Sequence, residues 1–403
     1  MTAPFSMSDP VPVVRLKPKT NARAIRRGYP WVYANELVTD RRTRALAPGT
    51  VARLEDENRK PLGVVAVNPL SKIFCRMLDR DPQAQIDAAW IRARLERARV
   101  ARDKMFSQPF YRLIHAEADG LPGVIIDRFG DSCVIQPNAA WADQRVDMIA
   151  AELASVTGAQ TILKNASGRT RGLEGLDDVS GALIGTAPSE PVPVPMNGAV
   201  YMADLTGGQK TGLFYDQRPN HAFAATLARG AEVLDVFSHV GGFSLACLAG
   251  GASHATAVDA SDAALKLAVS GASETDVSDR FTTIKGDAFD VLTRLGQESA
   301  RFDLVICDPP AFAPAKPALE AGLRAYERIA RLAAPLVREG GVLGLCSCSH
   351  AADVSAFRRA SVRGIGRAGY HPRIIYTGFA GPDHPQLPQL AESGYLKSIF
   401  FQL

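Results

Sequence analysis

Apolar residues in the first part of the chain fall into short runs, Val11–Leu16, Gly49–Leu54, Pro61–Val67 and Ile73–Leu78, separated by turn-rich stretches such as Glu55–Lys60. Runs of that length predict strands, and four of them in so short a span predict a small β barrel. Trp90 to Phe106 is charged but carries Ile91, Leu95 and Ala98 on one stripe, the pattern of an amphipathic helix. β-type runs follow near Phe110–His115, Val124–Asp127, Cys133–Gln136 and Thr161–Lys164, with a helix near Trp141–Ser155, which predicts a small α+β unit. Pro188–Pro195 is a proline-rich spacer, and Asn197-Gly198 between two apolar triplets predicts a hairpin because both residues tolerate positive φ. From about Ala231 the pattern becomes strand–helix alternation, with apolar runs at Val233–Phe237, Thr256–Val258, Phe281–Ile284, Leu304–Cys307 and Val342–Cys346. Continuous apolar strands of this kind belong to a parallel sheet covered by helices on both faces. Arg373–Tyr376 and Tyr395–Gln402 close the chain as strands, the latter pair antiparallel. The fold class is therefore α/β, with a doubly wound sheet preceded by a small β barrel and a small α+β domain, over residues 196–403, 11–80 and 90–187 respectively.

The 403 residues carry a net charge of +4 that is unevenly spread. Residues 1–80 hold 15 Lys and Arg against 7 Asp and Glu, and the remainder holds 31 against 35. A basic head on a mildly acidic body is an electrostatic footprint for phosphate backbone, and equally the signature of a solvated surface. Within that head, Arg26 and Arg27 stand beside Trp31 and Tyr33, an interleaving of cations and aromatics that suits phosphates and unpaired bases. The aromatics also suit one face of a core strand. Six cysteines, at 75, 133, 247, 307, 346 and 348, have no framework spacing, which predicts reduced thiols and a cytoplasmic setting. No apolar run is long enough to span a membrane, and the N-terminus lacks the order of a secretion signal.

In open α/β sheets ligands bind at the carboxyl ends of the strands, where this sequence places three acids. Asp235 lies in a strand that runs through Phe237 and Ser238 into Gly241 and a helix; Asp259 ends the second strand ahead of Ala260, and Asp287 follows the third. Asp259 stands where an acid accepts hydrogen bonds from a cofactor ribose, Gly241 allows close backbone approach, and Asp287 is placed to orient an adenine amino group. Phe237 and His239 replace the first two glycines of the dinucleotide pattern, which favours a nucleoside cofactor without phosphates. The alternative is that the three acids cap helices.

The fourth strand ends in Asp308-Pro309-Pro310-Ala311-Phe312, a rigid wall beside which a flat base fits, with Asp308 on its edge. The next strand delivers Cys346-Ser347-Cys348-Ser349-His350 to the same rim. A thiolate adding to carbon 6 of a pyrimidine would make carbon 5 nucleophilic enough to accept a methyl group. Burial of both thiols as small hydrophobes is the competing reading, and metal ligation through Cys346, Cys348 and His350 lacks a second ligand pair.

Several stretches together resemble, over nearly the full length, the bacterial PUA-containing 23S rRNA cytosine-C5 methyltransferases of the RlmI type. They are Arg26–Tyr33, Gly120–Gly130, Gly208–Arg218, Phe237-Ser238 with Gly241-Gly242-Phe243, Asp308-Pro309-Pro310 with Phe312, Ser347-Cys348-Ser349, Asp383-His384-Pro385 and Tyr395-Leu396-Lys397. The resemblance implies a PUA domain, an intermediate domain and a class I methyltransferase domain. It implies Cys348 as nucleophile and Asp308 beside it, and S-adenosylmethionine (SAM) held by Asp235, Phe237, Ser238, Gly241, Asp259, Ala260, Asp287 and Asp308. RNA contacts fall to Arg26, Arg27, Trp31, Lys210 and Arg218, the partner is rRNA of the large ribosomal subunit, no membrane is involved, and a homodimer is compatible. Ala311 departs from the family, which often has lysine there. Methylation of a guanine or adenine nitrogen, without a thiol, and RNA binding without catalysis are the competing functions.

Overall fold

The computed structural model describes residues 11–207 and 212–403. The chain forms two compact units, the first ending at Ala187 and taking in Pro385–Leu390, the second holding the rest from Pro188.

In the first unit the expected short strands form a five-stranded sheet, in the order Val13–Arg15, Thr50–Glu55, Pro61–Val67, Ile73–Asp79, Trp31–Tyr33. Only the first pair is parallel. Alternation sends Val14, Val32, Leu54, Val65 and Phe74 into one core, where each is almost wholly shielded. A second five-stranded sheet follows, Gly181–Ile184, Thr161–Lys164, Ser132–Pro137, Val124–Phe129 and Phe110–His115 in spatial order. The helices Ala88–Asp103 and Val146–Thr157 contribute Ile91, Leu95, Ile149 and Leu153 to its core. Asp87 starts the first of these helices by accepting a hydrogen bond from the Trp90 amide at 2.8 Å. The Gly120–Gly130 stretch owes its composition to structure: Gly120, Gly123 and Gly130 all have φ near +70°, and fully buried Asp127 takes two hydrogen bonds from Arg112 at 2.8 and 2.9 Å.

The second unit opens on the predicted hairpin, Val192–Met196 with Ala199–Ala203, whose turn residues Asn197 and Gly198 both have positive φ. Its main sheet consists of β1 (Glu232–Val236), β2 (His254–Asp259), β3 (Phe281–Lys285), β4 (Phe302–Cys307), β5 (Val337–Ser347), β6 (Arg373–Phe379) and β7 (Lys397–Gln402). The spatial order is β3-β2-β1-β4-β5-β7-β6, with β1 to β5 parallel and β7 antiparallel to both neighbours. Helices α1 (Arg218–Thr226), α2 (Gly242–Ala249), α3 (Asp262–Glu274), α4 (Ala288–Gln297), α5 (Leu319–Ala333) and α6 (Val354–Arg367) flank it. The parallel sheet is the one that the strand–helix alternation predicted, and its order is the Rossmann-like one that the resemblance implied. The order reverses between β1 and β4, which pair from Val233–Leu304 to Val236–Cys307, so the crevice of the sheet opens at their carboxyl ends. Among the described residues no helix is long and apolar enough to cross a membrane.

Candidate active site

β1 delivers Asp235 into the interior with no solvent exposure. Its Oδ2 accepts hydrogen bonds from the backbone N–H and the hydroxyl of Ser244 in α2, both at 2.9 Å. Loss of water around this carboxyl raises its pKa to about 6; the Ser244 donors pull it back down, and the nearby Asp259 charge pushes it further up. The loop beyond β1 is held in an uncommon shape. Phe237, His239 and Gly241 have φ of 64°, 51° and 80°, so two bulky residues adopt the left-handed conformation that the dinucleotide pattern reserves for glycine. Each such residue costs about 1–3 kcal/mol, a strain that surrounding structure must over-determine. Two contacts do so here: the Ser238 N–H donates to the carbonyl of Val258 at 3.0 Å, and the His239 N–H donates to Asp259 Oδ2 at 2.9 Å. A Cβ on Gly241 would sit 3.2 Å from Ala268 and Leu245, and its φ disfavours any side chain.

Asp259 also accepts from the Ser261 N–H at 2.8 Å through Oδ1, ahead of α3, and Ala260 lies exposed between them. Asp287 caps α4: its Oδ1 accepts from Phe289 N–H at 2.9 Å and Asp290 N–H at 3.3 Å, and its Oδ2 takes part in neither bond. Capping thus accounts for one oxygen of Asp287 and for no more of the group. Asp235 Oδ1 and Ser238 Oγ are buried and have no hydrogen-bond partner among the described residues. An unmatched buried acceptor costs about 1–3 kcal/mol, so a pair of them beside the loop that ends at Gly241 fits a polar, cationic ligand such as SAM.

The Asp308 N–H donates to the carbonyl of Val236 at 3.1 Å, tying the Asp-Pro-Pro segment to the end of β1. Phe312 beyond it packs with Phe237, Phe289 and Tyr326, ring centroids 6.4, 6.3 and 5.1 Å away. The turn after β5 is anchored by its two serines. Ser347 donates to the Tyr326 hydroxyl at 2.9 Å, and Ser349 Oγ lies 2.8 Å from that hydroxyl and accepts the Ala313 N–H at 3.0 Å. Both serines are buried, and Cys348 between them is thrust outward, its Sγ 3.9 Å from the Pro309 carbonyl oxygen. Cys348 is the only one of the six cysteines that is not buried. Cys346, two residues earlier, sits against Ser398 Oγ at 3.1 Å, and burial drives its thiol far above the ordinary range. Among the described residues no group of His, Cys, Asp or Glu is arranged to hold a metal ion.

The crevice has the ingredients of a nucleoside-cofactor site, and comparison with known proteins identifies the cofactor class. Residues 151–366 match the S-adenosylmethionine-dependent methyltransferase family, and residues 14–80 match the PUA-like domain. "Ribosomal RNA large subunit methyltransferase I" of Cronobacter sakazakii is 31% identical, over 94% of this chain and 97% of its own length. The chain belongs to that family. It is a SAM-dependent methyltransferase with an N-terminal PUA-like domain. A "Ribosomal RNA large subunit methyltransferase" of Deinococcus radiodurans is 32% identical over the whole of both chains. In fold, a solved chain from Streptococcus mutans, described as a candidate SAM-dependent methyltransferase, superposes with a TM-score of 0.82 at 20% identity. It covers 98% of this chain and all of that one.

The residues expected at an RNA surface are less uniform. Arg27 is exposed, whereas Arg26 is ion-paired with Asp56. Trp31 donates its Nε1–H to Glu117 at 2.8 Å, and the Arg76 guanidinium lies 5.7 Å from its ring centroid. Arg76 in turn bridges Glu117 and Glu174 at 2.9 and 3.0 Å, so Trp31 belongs to the polar seam that joins the two sheets of the first unit. Arg218 is half-buried at the start of α1, its guanidinium 5.1 Å from the Tyr215 ring. Lys210 lies outside the described residues. Sequence reasoning assigned no role to Tyr326, which ties the serines together, or to Ser244, which holds Asp235. Neither stands in a motif, and their partners are 21 or more and 9 residues away in sequence. Lys397 stands in the Tyr395-Leu396-Lys397 stretch that the sequence singled out, but no role was assigned to it.

Proposed function

We propose that this methyltransferase moves the SAM methyl group to carbon 5 of a cytosine in large-subunit rRNA, with Cys348 as the nucleophile. One observation carries the reading: the single cysteine outside the core stands at the Asp308-Pro309-Pro310 wall. The substrate class follows the names of the full-length relatives. When bound, SAM supplies an electrophilic methyl group. The chain's own residues prepare the base. Asp308 accepts a hydrogen bond from the edge of the cytosine, and the Cys348 thiolate adds to carbon 6, placing electron density on carbon 5. Once carbon 5 has taken the methyl group, its proton leaves to a base and the carbon 6–sulfur bond breaks, returning the thiolate. Asp235, Phe237, Ser238, Gly241, Asp259, Ala260 and Asp287 form the cofactor pocket. Residues 11–80 and 90–187 would serve RNA reading and positioning, and 196–403 catalysis.

Mass-spectrometric mapping of rRNA from a strain lacking the gene tests the product. The expected loss is one 5-methylcytosine in the large subunit; loss of an N-methylated guanine or adenine would discard the thiol chemistry. RNA carrying 5-fluorocytosine at the target should remain covalently attached to the enzyme, since fluorine cannot leave as the proton does.

Asp259→Ala should weaken SAM binding by about 10- to 100-fold, the worth of hydrogen bonds to a charged acceptor, and leave RNA affinity unchanged in calorimetry. Equal loss of both would mean that the loop held by His239 and Ser261 had collapsed. Arg27→Ala should flatten the dependence of log affinity on log salt by about 0.7–0.9, the contribution of one phosphate contact. Arg26→Ala should change that slope less, because Asp56 already neutralises this cation; equal slopes for both variants would refute the assignment.

A further inference from the structure

Lys397 opens β7 opposite Ser347 of β5, and its side chain is almost wholly enclosed, with 2% exposure. Its Nζ donates to the carbonyl of Ser349 and, at 3.0 Å, to that of Tyr395. Among the described residues no carboxylate forms a salt bridge with it. An ammonium taken out of water without a counter-ion is unfavourable, and carbonyl dipoles offset only part of that cost. The interaction that most favours its charged form comes from Cys348, followed by Asp353 ahead of α6.

We propose that Lys397 is a positioning residue for the nucleophile: its ammonium clamps the Ser347–Ser349 turn through the Ser349 carbonyl and stabilises Cys348 as a thiolate. The proposal rests on the reading of Cys348 as the nucleophile. A cation beside a thiol favours the thiolate, whereas burial and nearby anions oppose it. The charged and titratable groups around the turn are Lys397 from β7, Tyr326 from α5, Cys346 and His350 flanking the turn, Asp353 before α6 and Asp308 just after β4. Tyr326 is neutral, its hydroxyl pushed further up by burial. Of these groups the Lys397 ammonium favours the thiolate, and the same interaction with Cys348 favours the charged form of the lysine. Burial lowers the ammonium itself to about 8. The assistance is therefore complete below that pH and fades above it.

The test is the pH profile of alkylation of Cys348 by iodoacetamide in the full-length enzyme, located by tandem mass spectrometry; the other five thiols are buried. The wild-type midpoint is expected below the ordinary thiol value of about 8.5. Lys397→Gln keeps a donor for the carbonyls and removes the charge. It should raise the midpoint by about one unit, slowing alkylation at pH 7 by about tenfold, and lower kcat with KM for SAM unchanged. A K397Q profile that overlays the wild type overturns the proposal. So does a wild-type midpoint at or above 8.5, which decides the matter even if the variant fails to fold. Methylation retained in Cys348→Ala would instead remove the nucleophile reading beneath it. Methylation lost there, with an unmoved K397Q profile, would leave that reading standing and remove only the role of Lys397.

Discussion

Cys348→Ala is expected to reduce methyl transfer by about 10⁴-fold, equivalent to about 5 kcal/mol of transition-state stabilisation. Carbon 5 of cytosine is a weak nucleophile, and no other cysteine can substitute because the remaining five are enclosed by the core. Cys348→Ser should be equally inactive, since an unassisted hydroxyl is not ionised at neutral pH. Neither change should move stability by more than about 0.5–1 kcal/mol, for the side chain is partly exposed and leaves no core cavity. Cys346→Ala should behave in the opposite way. It opens a small void beside Ser398 and lowers the melting temperature while methylation persists. Incorporation of labelled methyl groups, with thermal melts on the same samples, separates the two. Activity in C348A would end the adduct mechanism, and normal stability with lost activity in C346A would mean that the wrong sulfur had been chosen.

Asp235→Asn is expected to stabilise the SAM-free protein while weakening SAM binding by about 10- to 100-fold. The carboxyl is fully buried, and its pKa stands near 6 against an ordinary 3.8. The folded chain therefore binds this proton more tightly than the unfolded chain does. Its contribution becomes less favourable as pH rises from about 4 to 6, and at pH 7 the ionised group costs about 3 kcal/mol. Asparagine keeps the shape and one acceptor for Ser244 while removing that cost. A cationic ligand beside Asp235 favours the ionised form, so wild-type SAM affinity should fall about tenfold per pH unit below about 6, and the variant's affinity should not. Calorimetry between pH 5 and 8 measures both. A flat wild-type profile would place the cofactor's charge away from this acid.

The particular residues show why part of the site could be read from sequence and part could not. Phe237 and His239 in place of glycines favoured a nucleoside cofactor without phosphates, in keeping with the SAM-dependent family, but the sequence could not show that both adopt the left-handed conformation. That shape depends on Asp259 and Val258 of the neighbouring strand. By periodicity alone Cys346 and Cys348 are equivalent, two apart where one strand ends. They differ in environment because Ser347 and Ser349 are anchored by Tyr326, which arrives on α5 from a separate part of the chain. Trp31 beside two arginines reads as a stacking platform, yet Glu117 and Arg76 engage it inside the first unit.

Taken alone, the chain determined the order of its elements, the parallel sheet and the acids at the strand ends. Periodicity and turn chemistry act over a few residues, and an apolar strand flanked by helices has few ways to bury both faces. Pairings across long stretches of chain were decided by the tertiary structure. The insertion of β7 between β5 and β6 brings Lys397 opposite Ser347, and no local pattern specifies that register. Which buried charge finds which partner depends on desolvation and distance after packing, quantities that exist only once the sheet has closed.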